Sequence, residues 1–399
     1  MPAALRTAGK IALPLGVAAL AAGAIAYGPT AFADDSSDPN LPGLTAEEVV
    51  AKIAGSQTES LSGSVRITTD LGLPAIPGKG NASPEGLASG THTLRVAVDG
   101  PDRQRVGIQA ELAEYNIIHN GRDLWTYDSR ANEVTHTTLP DGTAAPGGKA
   151  PGLSMTPQEA AKQLLAAAGP STQVTVTGTD KVAGRDAYQL RIAPGQPGSL
   201  IGGATVSVDA ETGVPLRVVV DTAKGGKPAI DVGFTDVSFQ KPSADTFAFK
   251  PPSGAKVEEK NAADGKADPK NAAGALDLDL GKLTSGFSGT DPKVHGQGWN
   301  TVVELRLPAG LGALTGDDKG KDGKDGKDGK ESKEQKDARG AVAGLLDKAG
   351  TPVSGSWGSG TLFSTRLATA LVTDDGRVFV GAVDGDTLQR TASESAAGR

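Results

Sequence analysis

The chain contains no cysteine, and that single absence removes disulfides, thiolate metal sites, a nucleophilic thiol and the acylated cysteine of a lipidated N-terminus. Any attachment to a membrane must therefore do without a diacylglyceryl anchor. Aromatic residues are scarce, at 4% of 399 residues, while glycine (55) and proline (25) are plentiful. This balance argues against long helical bundles and for a strand-rich, turn-rich fold with flexible inserts. The formal charge of −7 and pI near 5.3, with arginines scattered singly, leave no basic field for phosphodiester backbones, so nucleic acid is excluded as a partner.

Catalytic signatures are missing too. The four histidines, His92, His119, His136 and His295, have no metal-ligand spacing and no H-E-x-x-H, and read as satisfied strand or loop residues. There is no G-x-S-x-G elbow and no S-x-x-K with its companion motifs. The run Gly355-Ser-Trp-Gly-Ser-Gly360 lacks the lysine and opening helix of a phosphate loop and reads as a bulged turn around Trp357. The expectation is a protein with no catalytic residues, no metal and no cofactor.

What is present begins at the N-terminus. Arg6 and Lys10 precede an apolar run from Ile11 to Ala26, and Ala31-Phe-Ala33 places small residues before Asp34. That is the pattern of a cleaved export signal over 1–33; an uncleaved anchor is the alternative, although the run is short for a span of roughly 20 residues. Removing Arg6 and Lys10 takes the charge from −7 to −9, so the exported part is acidic.

Thr45 followed three residues later by Glu48 predicts a capping box, with Gly55 ending a short amphipathic helix. Strands are predicted at 61–69, 91–98 and 103–110. A hairpin follows about Asn120-Gly121, where both central turn residues are expected at positive φ, and a second turn at Asp128 to Asn132. After a Gly/Pro loop at 140–151, Thr156 and Pro157 open a helix with an apolar stripe from Ala160 to Ala168. From Gln173 to Phe249 the alternation is nearly continuous, with a tight turn at Asp209 to Gly213.

Residues 257–275 are charged and without period, and read as a linker, taken with its flank to 285. A strand from Gly298 to Leu307 and a Lys/Asp/Gly-rich loop at 316–336 that cannot bury a core follow. A short helix at 338–349, strands around Val353, Leu362 to Thr373 and Val378, and a terminal helix from Asp384 complete the chain.

Three stretches carry a resemblance. NGRDLWTYDSRANEVT, from Asn120, resembles the signature hairpin of the LolA-like lipoprotein-carrier superfamily. VSVDAETGVPLRVVVDTAKGGKPAIDVGFTDVSF, from Val206, followed by DTFAFKPPSG, resembles that superfamily's closing pattern. SWGSGTLFSTRLATALVTDDGRVFVGAVDGDTLQRTA, from Ser356, is similar, more loosely, to the C-terminal domain that RseB/MucB regulators add to a LolA-like half.

The resemblance implies a mainly β, α+β fold: a LolA-like curved antiparallel half-barrel over 41–256, covered by short helices, and an RseB-like α+β domain over 286–395. It implies a non-enzymatic exported protein that shields acyl chains of a lipid or lipid-modified protein. The candidates for an apolar cavity are Trp125, Tyr127, Phe234, Phe239, Phe247 and Phe249, each of which also suits plain core packing. The alternative is an extracytoplasmic sensor acting on a membrane protein such as an anti-sigma factor, where a carrier would meet a transporter.

Overall fold

The structure, a computed structural model, describes residues 39–72, 86–87, 89–110, 112–139, 171–261, 292–306 and 350–397. The expected signal, the helix near 156–168, the Lys/Asp/Gly loop and the helix at 338–349 lie outside them. The chain divides into two compact units: Met1–Gly195 with Gly202–Asp279, and Gln196–Ile201 with Leu280–Arg399.

The first unit opens with helix α1 (Ala46–Ala54). Its capping box is formed as expected: Thr45 Oγ1 accepts from the Glu48 amide, and Glu48 accepts from the Thr45 amide at 2.7 Å. Strands β1 (Ser60–Asp70), β2 (Ser89–Asp99), β3 (Arg103–Ala110), β4 (Ala113–Asn120), β5 (Asp123–Asp128) and β6 (Glu133–Thr138) follow. Next come β7 (Thr172–Val182), β8 (Arg185–Pro194), β9 (Ile201–Asp209), β10 (Pro215–Thr222), β11 (Ile230–Ser238) and β12 (Lys256–Asn261).

All twelve form one sheet in the order β12-β6-β5-β4-β3-β2-β1-β11-β10-β9-β8-β7. Every described pairing is antiparallel except β12 with β6. The fold class is therefore mainly β, a large open and almost wholly antiparallel sheet with few helices, as expected.

Alternation gives this sheet two unlike faces. The register of β1 on β2 sets Leu61, Val65 and Ile67 on the same side as Val98, Leu94 and His92. Val96 and Ile108 continue that side, and Phe234 joins it from β11, opposite Val65. These residues form one buried cluster with Val182, Ala187, Val214 and Leu216. Strand β7 contacts β11 although three strands separate them in the sheet order, so the sheet curls and this apolar side is its inner face. The N-terminal segment is fastened to the curled end, where Tyr188 Oη donates to Pro42 O at 3.1 Å and Thr179 Oγ1 to Pro39 O at 3.2 Å.

Two local features differ from expectation. The hairpin between β4 and β5 pairs Asn120 with Asp123, so its central residues are Gly121 and Arg122. Gly121 is at φ 64° and Arg122 is not at positive φ, the requirement of a type II′ turn, which needs glycine only at the first central position. Lys256–Asn261, the start of the segment read as a linker, is a strand. Its residues are mostly exposed, so it pairs through its backbone at the sheet edge without the apolar alternation that would betray it.

The turn at Asp209 is a small electrostatic core. Asp209 is fully buried and accepts from the Thr212 amide at 2.6 Å, Thr212 Oγ1 at 2.8 Å and Arg185 Nη2 at 3.0 Å. Burial works to raise its carboxyl pKa, and the bonds from Arg185 and Thr212 outweigh that and hold it below the usual carboxylate range. Gly213, at φ 73°, rests against the carbonyl of Lys52 on α1, where a Cβ would collide with the oxygen.

The second unit holds β13 (Lys293–His295), β14 (Val302–Arg306), β15 (Thr351–Gly355), β16 (Gly358–Ser364), β17 (Thr369–Thr373), β18 (Arg377–Gly381) and α2 (Gly385–Ala397). The strands form a sheet in the order β13-β14-β18-β17-β16-β15. Gly298–Asn300, expected as strand, is a 3-10 turn that buries Trp299. Ser356 and Trp357 make the two-residue turn between β15 and β16. Helix α2 buries Leu388 and Ala392 against Val302, Trp357, Leu371 and Phe379. The segment Gln196–Ile201 belongs to this unit: the Leu200 amide donates to Ala382 O at 2.7 Å, and Asn300 Nδ2 donates to Pro197 O at 3.0 Å.

Helix α2 is also tied through a buried carboxylate. Glu304 Oε2 accepts from Ser395 Oγ and sits against His295 Nε2, each at 2.8 Å. Burial works to raise its pKa, and the bonds from Ser395 and His295 with the charge of Lys293 outweigh it, so the pKa is lowered. A lowered carboxyl pKa adds stability above its unfolded value of about 4.3, and that stability is lost as pH falls through the folded value. Acid titration of unfolding, followed by near-ultraviolet circular dichroism, is expected to show the second unit weakening below about pH 4.3, with E304Q less stable at neutral pH and flatter in acid. An E304Q curve parallel to wild type would remove Glu304 from this role. For the first unit, a Cβ at Gly63 would collide with the Asp236 carbonyl oxygen. Gly63→Ala is expected to cost about 1–3 kcal/mol in urea unfolding, and an unchanged midpoint would mean that β1 and β11 part there at no cost.

Candidate functional site

The inner face is built by strands from β3 round to β8. Its centre is dry and packed: Val65, Ile108, Ala187 and Phe234 have no exposed surface. Towards β3 and β4 the packing opens, and Val98, Val106 and Tyr115 are only partly buried while still belonging to the cluster. Phe239 and Ile230 hold the same intermediate position further along the sheet. The cluster that lines this face is almost wholly aliphatic and aromatic, so the face suits an apolar ligand against a partly exposed rim.

The outer face carries a different assembly. Trp125 on β5 stacks on His136 of β6, ring centroids 3.8 Å apart and planes within 8°. Phe249 tilts against Trp125 at 5.5 Å and against Tyr127 at 5.9 Å. His136 is held by a carboxylate at each ring nitrogen, Glu259 of β12 at 2.6 Å from Nδ1 and Asp123 of β5 at 2.8 Å from Nε2. The segment that brings Phe249 here is strapped on by Arg105, whose Nη1 donates to Thr246 O at 3.0 Å, and by Phe247, which is buried beneath Arg103 with 6.0 Å between guanidinium and ring.

The six aromatic candidates therefore do not share one cavity. Phe234 and Phe239 belong to the inner cluster. Trp125 and Tyr127 stand in register with Arg105 and Gly107, the residues of β3 that face away from Val106 and Ile108. Phe247 and Phe249 follow them to that side through the strap. The reason is parity: the side of β5 that carries its two aromatics is the side that β1 devotes to Ser62, Ser64 and Arg66. Single-strand alternation is visible in a sequence, but which face two distant strands share depends on every intervening register.

Of the other histidines, His92 Nε2 lies 2.7 Å from Ser89 O and His119 Nε2 lies 2.8 Å from Gly121 O, while His119 Nδ1 is buried without a hydrogen-bond partner among the described residues. Ser395 and His295 both bind the Glu304 carboxylate, so the serine is not presented to the histidine as a nucleophile would be. Among the described residues, no group of three or more His, Asp or Glu is placed to hold a metal ion, and no helix is long and apolar enough to cross a membrane. Two shallow surface hollows of about 430 and 440 Å³ lie apart from the inner face, one at the β3–β4 turn around Leu112 and one between α1 and Glu211.

Replacing Trp125 with alanine removes the stack on His136 and the contact to Phe249, and is expected to cost about 2–3 kcal/mol in urea unfolding followed by far-ultraviolet circular dichroism. A loss below about 0.5 kcal/mol would show the cluster to be surface decoration.

Residues 81–258 match the family described as "Predicted periplasmic protein (DUF2092)", somewhat under half of the chain. No curated protein matches the sequence. Among solved structures, the chain is similar to the MucA/MucB complex of Pseudomonas aeruginosa, with 15% identity, 87% of this chain and 96% of that one covered, and a TM-score of 0.37. It is similar to an uncharacterized conserved protein from Thermus thermophilus at 13% identity, covering 54% and 99%, with a TM-score of 0.32. A LolA superfamily protein from Nitrosomonas europaea is similar at 13% identity, covering 52% and 99%, with a TM-score of 0.20. Likenesses at this level say nothing of ligand or partner. The match to the predicted periplasmic family runs from β2 to the start of β12, over most of the first unit's sheet.

Proposed function

We propose that the protein is an exported, non-enzymatic binding protein that shields the acyl chains of a lipid or lipid-modified protein against the inner face of its first unit. The observation that carries this reading is an apolar face continuous from β3 through β1 and β11 to β8, on a sheet whose two end strands, β12 and β7, are not paired to each other. Burial of a methylene is worth roughly 0.8 kcal/mol and has no directional demand. Such a wall selects acyl chains by length and access rather than by hydrogen bonds. The match to a predicted periplasmic family and the N-terminal export pattern support placement outside the cytoplasm. Phe234 and Phe239 remain the aromatic candidates for this wall, with Val98, Val106 and Tyr115 at its accessible rim.

A second reading is favoured by the separate compact unit, with its own sheet and core, for which acyl shielding alone has no use. In that reading the protein senses a lipid or lipoprotein and acts on a membrane-bound regulator such as an anti-sigma factor.

Native mass spectrometry of the protein purified from a membrane-containing host, with organic extraction alongside, tests the first reading. About one lipid per chain is expected, lost in Val106→Lys or Tyr115→Asp and kept in Trp125→Asp, whose side chain is on the other face; circular dichroism checks that each variant is folded. A protein that is empty as purified, and that gains no thermal stability from added fatty acid, would sink the carrier reading. Cross-linking in intact membranes to one membrane protein would then support the sensor.

A further inference from the structure

The outer face of the central strands carries an arginine on nearly every strand, and most have an acidic or carbonyl partner. Arg103 pairs with Asp99, Arg191 with Asp221 and Arg217 with Asp231, and Arg105 donates to Thr246 O and Asn116. Arg66 of β1 and Arg95 of β2 are the exceptions: among the described residues neither has a hydrogen bond or ion pair.

Their placement is specific. Ser64 stands opposite Arg95 and Arg66 opposite Thr93, so the two arginines are diagonal neighbours on one face with Cβ atoms about 7 Å apart. The next residue across from Arg95 on β3 is Gly107, over which Asn116 Oδ1 leans, and the one across from Arg66 on β11 is Gly233, so neither facing residue itself contributes a side chain. Ser62 and Ser64 on β1 and Thr93 on β2 share that face and add hydroxyl donors. Two carboxylates stand diagonal to Arg66 on β11: Asp236, opposite Ser64, makes no ion pair among the described residues, and Asp231, opposite Thr68, is taken by Arg217. Two like charges this close on adjacent strands repel each other, and in a chain of net charge −7 carboxylates were available to neutralise them.

We propose that Arg66 and Arg95 form a binding site for a phosphate group, either the headgroup of an anionic phospholipid or a free phosphate ion. Two planar guanidinium forks matched to one tetrahedral anion leave oxygens over for the serine and threonine hydroxyls, an arrangement that a two-oxygen carboxylate cannot fill. The site is separate from the acyl wall, on the opposite face of the same strands, and stands or falls independently of it.

Binding of the full chain to phosphatidylglycerol/phosphatidylcholine vesicles by co-sedimentation, and to inorganic phosphate by calorimetry, distinguishes the two sources. Saturation by phosphate alone assigns a free anion; binding to the anionic vesicles and not to pure phosphatidylcholine assigns the headgroup. In either case R66Q/R95Q is expected to lose roughly 30-fold in affinity, from about a sixfold effect per arginine. R130Q, which removes an exposed turn arginine, should bind as wild type. The proposal is overturned if wild type binds neither probe, if R66Q/R95Q binds as well as wild type, or if poly-glutamate occupies the two arginines and phosphate does not.

Discussion

The first unit depends on the register of β1. Because side chains alternate, a one-residue slip against β2 or β11 would send Val65, Ile67 and Leu61 to solvent and bring Arg66 and Ser64 inside. The chain guards against this from both sides. Gly63 admits the Asp236 carbonyl at a distance that no side chain tolerates, and the irregularity between Ser64 and Val65 shifts the pairing with β11 so that Phe234 meets Val65. With β1 placed, every other strand inherits an inside and an outside.

That inheritance explains what was and was not legible in the sequence. The capping box at Thr45, the Asn120-Gly121 hairpin, the turns at Asp128 and Asp209, and the alternation from Gln173 onward are local, with their causes within a few residues of each other. They read correctly. The hairpin's turn type did not, because which two residues are central depends on the pairing of Asn120 with Asp123. Strand β12 was invisible for the opposite reason: it buries almost nothing and is held by backbone pairing and by Glu259 and Lys256 reaching β6.

The aromatic candidates show the same limit at longer range. Trp125, Tyr127 and the Phe-Ala-Phe run at 247–249 were conspicuous in the sequence, and the structure does bring them together. It does so on the face turned from Phe234. The parity of five successive pairings decides this, and no window of sequence holds that information. Arg66 and Arg95, without partners among the described residues, were equally hidden, because a lack of partners is a property of the folded surface; scattered single arginines in the sequence gave no signal.

The charged strand β12 has one more consequence. Among the described residues the twelve-stranded sheet ends in two edge strands, each a template for another chain. At one end Lys-Val-Glu-Glu-Lys-Asn, running parallel to β6, presents alternating charges that repel a copy of itself arriving in the same register. At the other, β7 is interrupted by a bulge at Val176–Gly178 and carries Lys181 beyond it. An open sheet with one apolar face has special need of borders that refuse to zip, and the charges of β12 and the bulge of β7 serve that end.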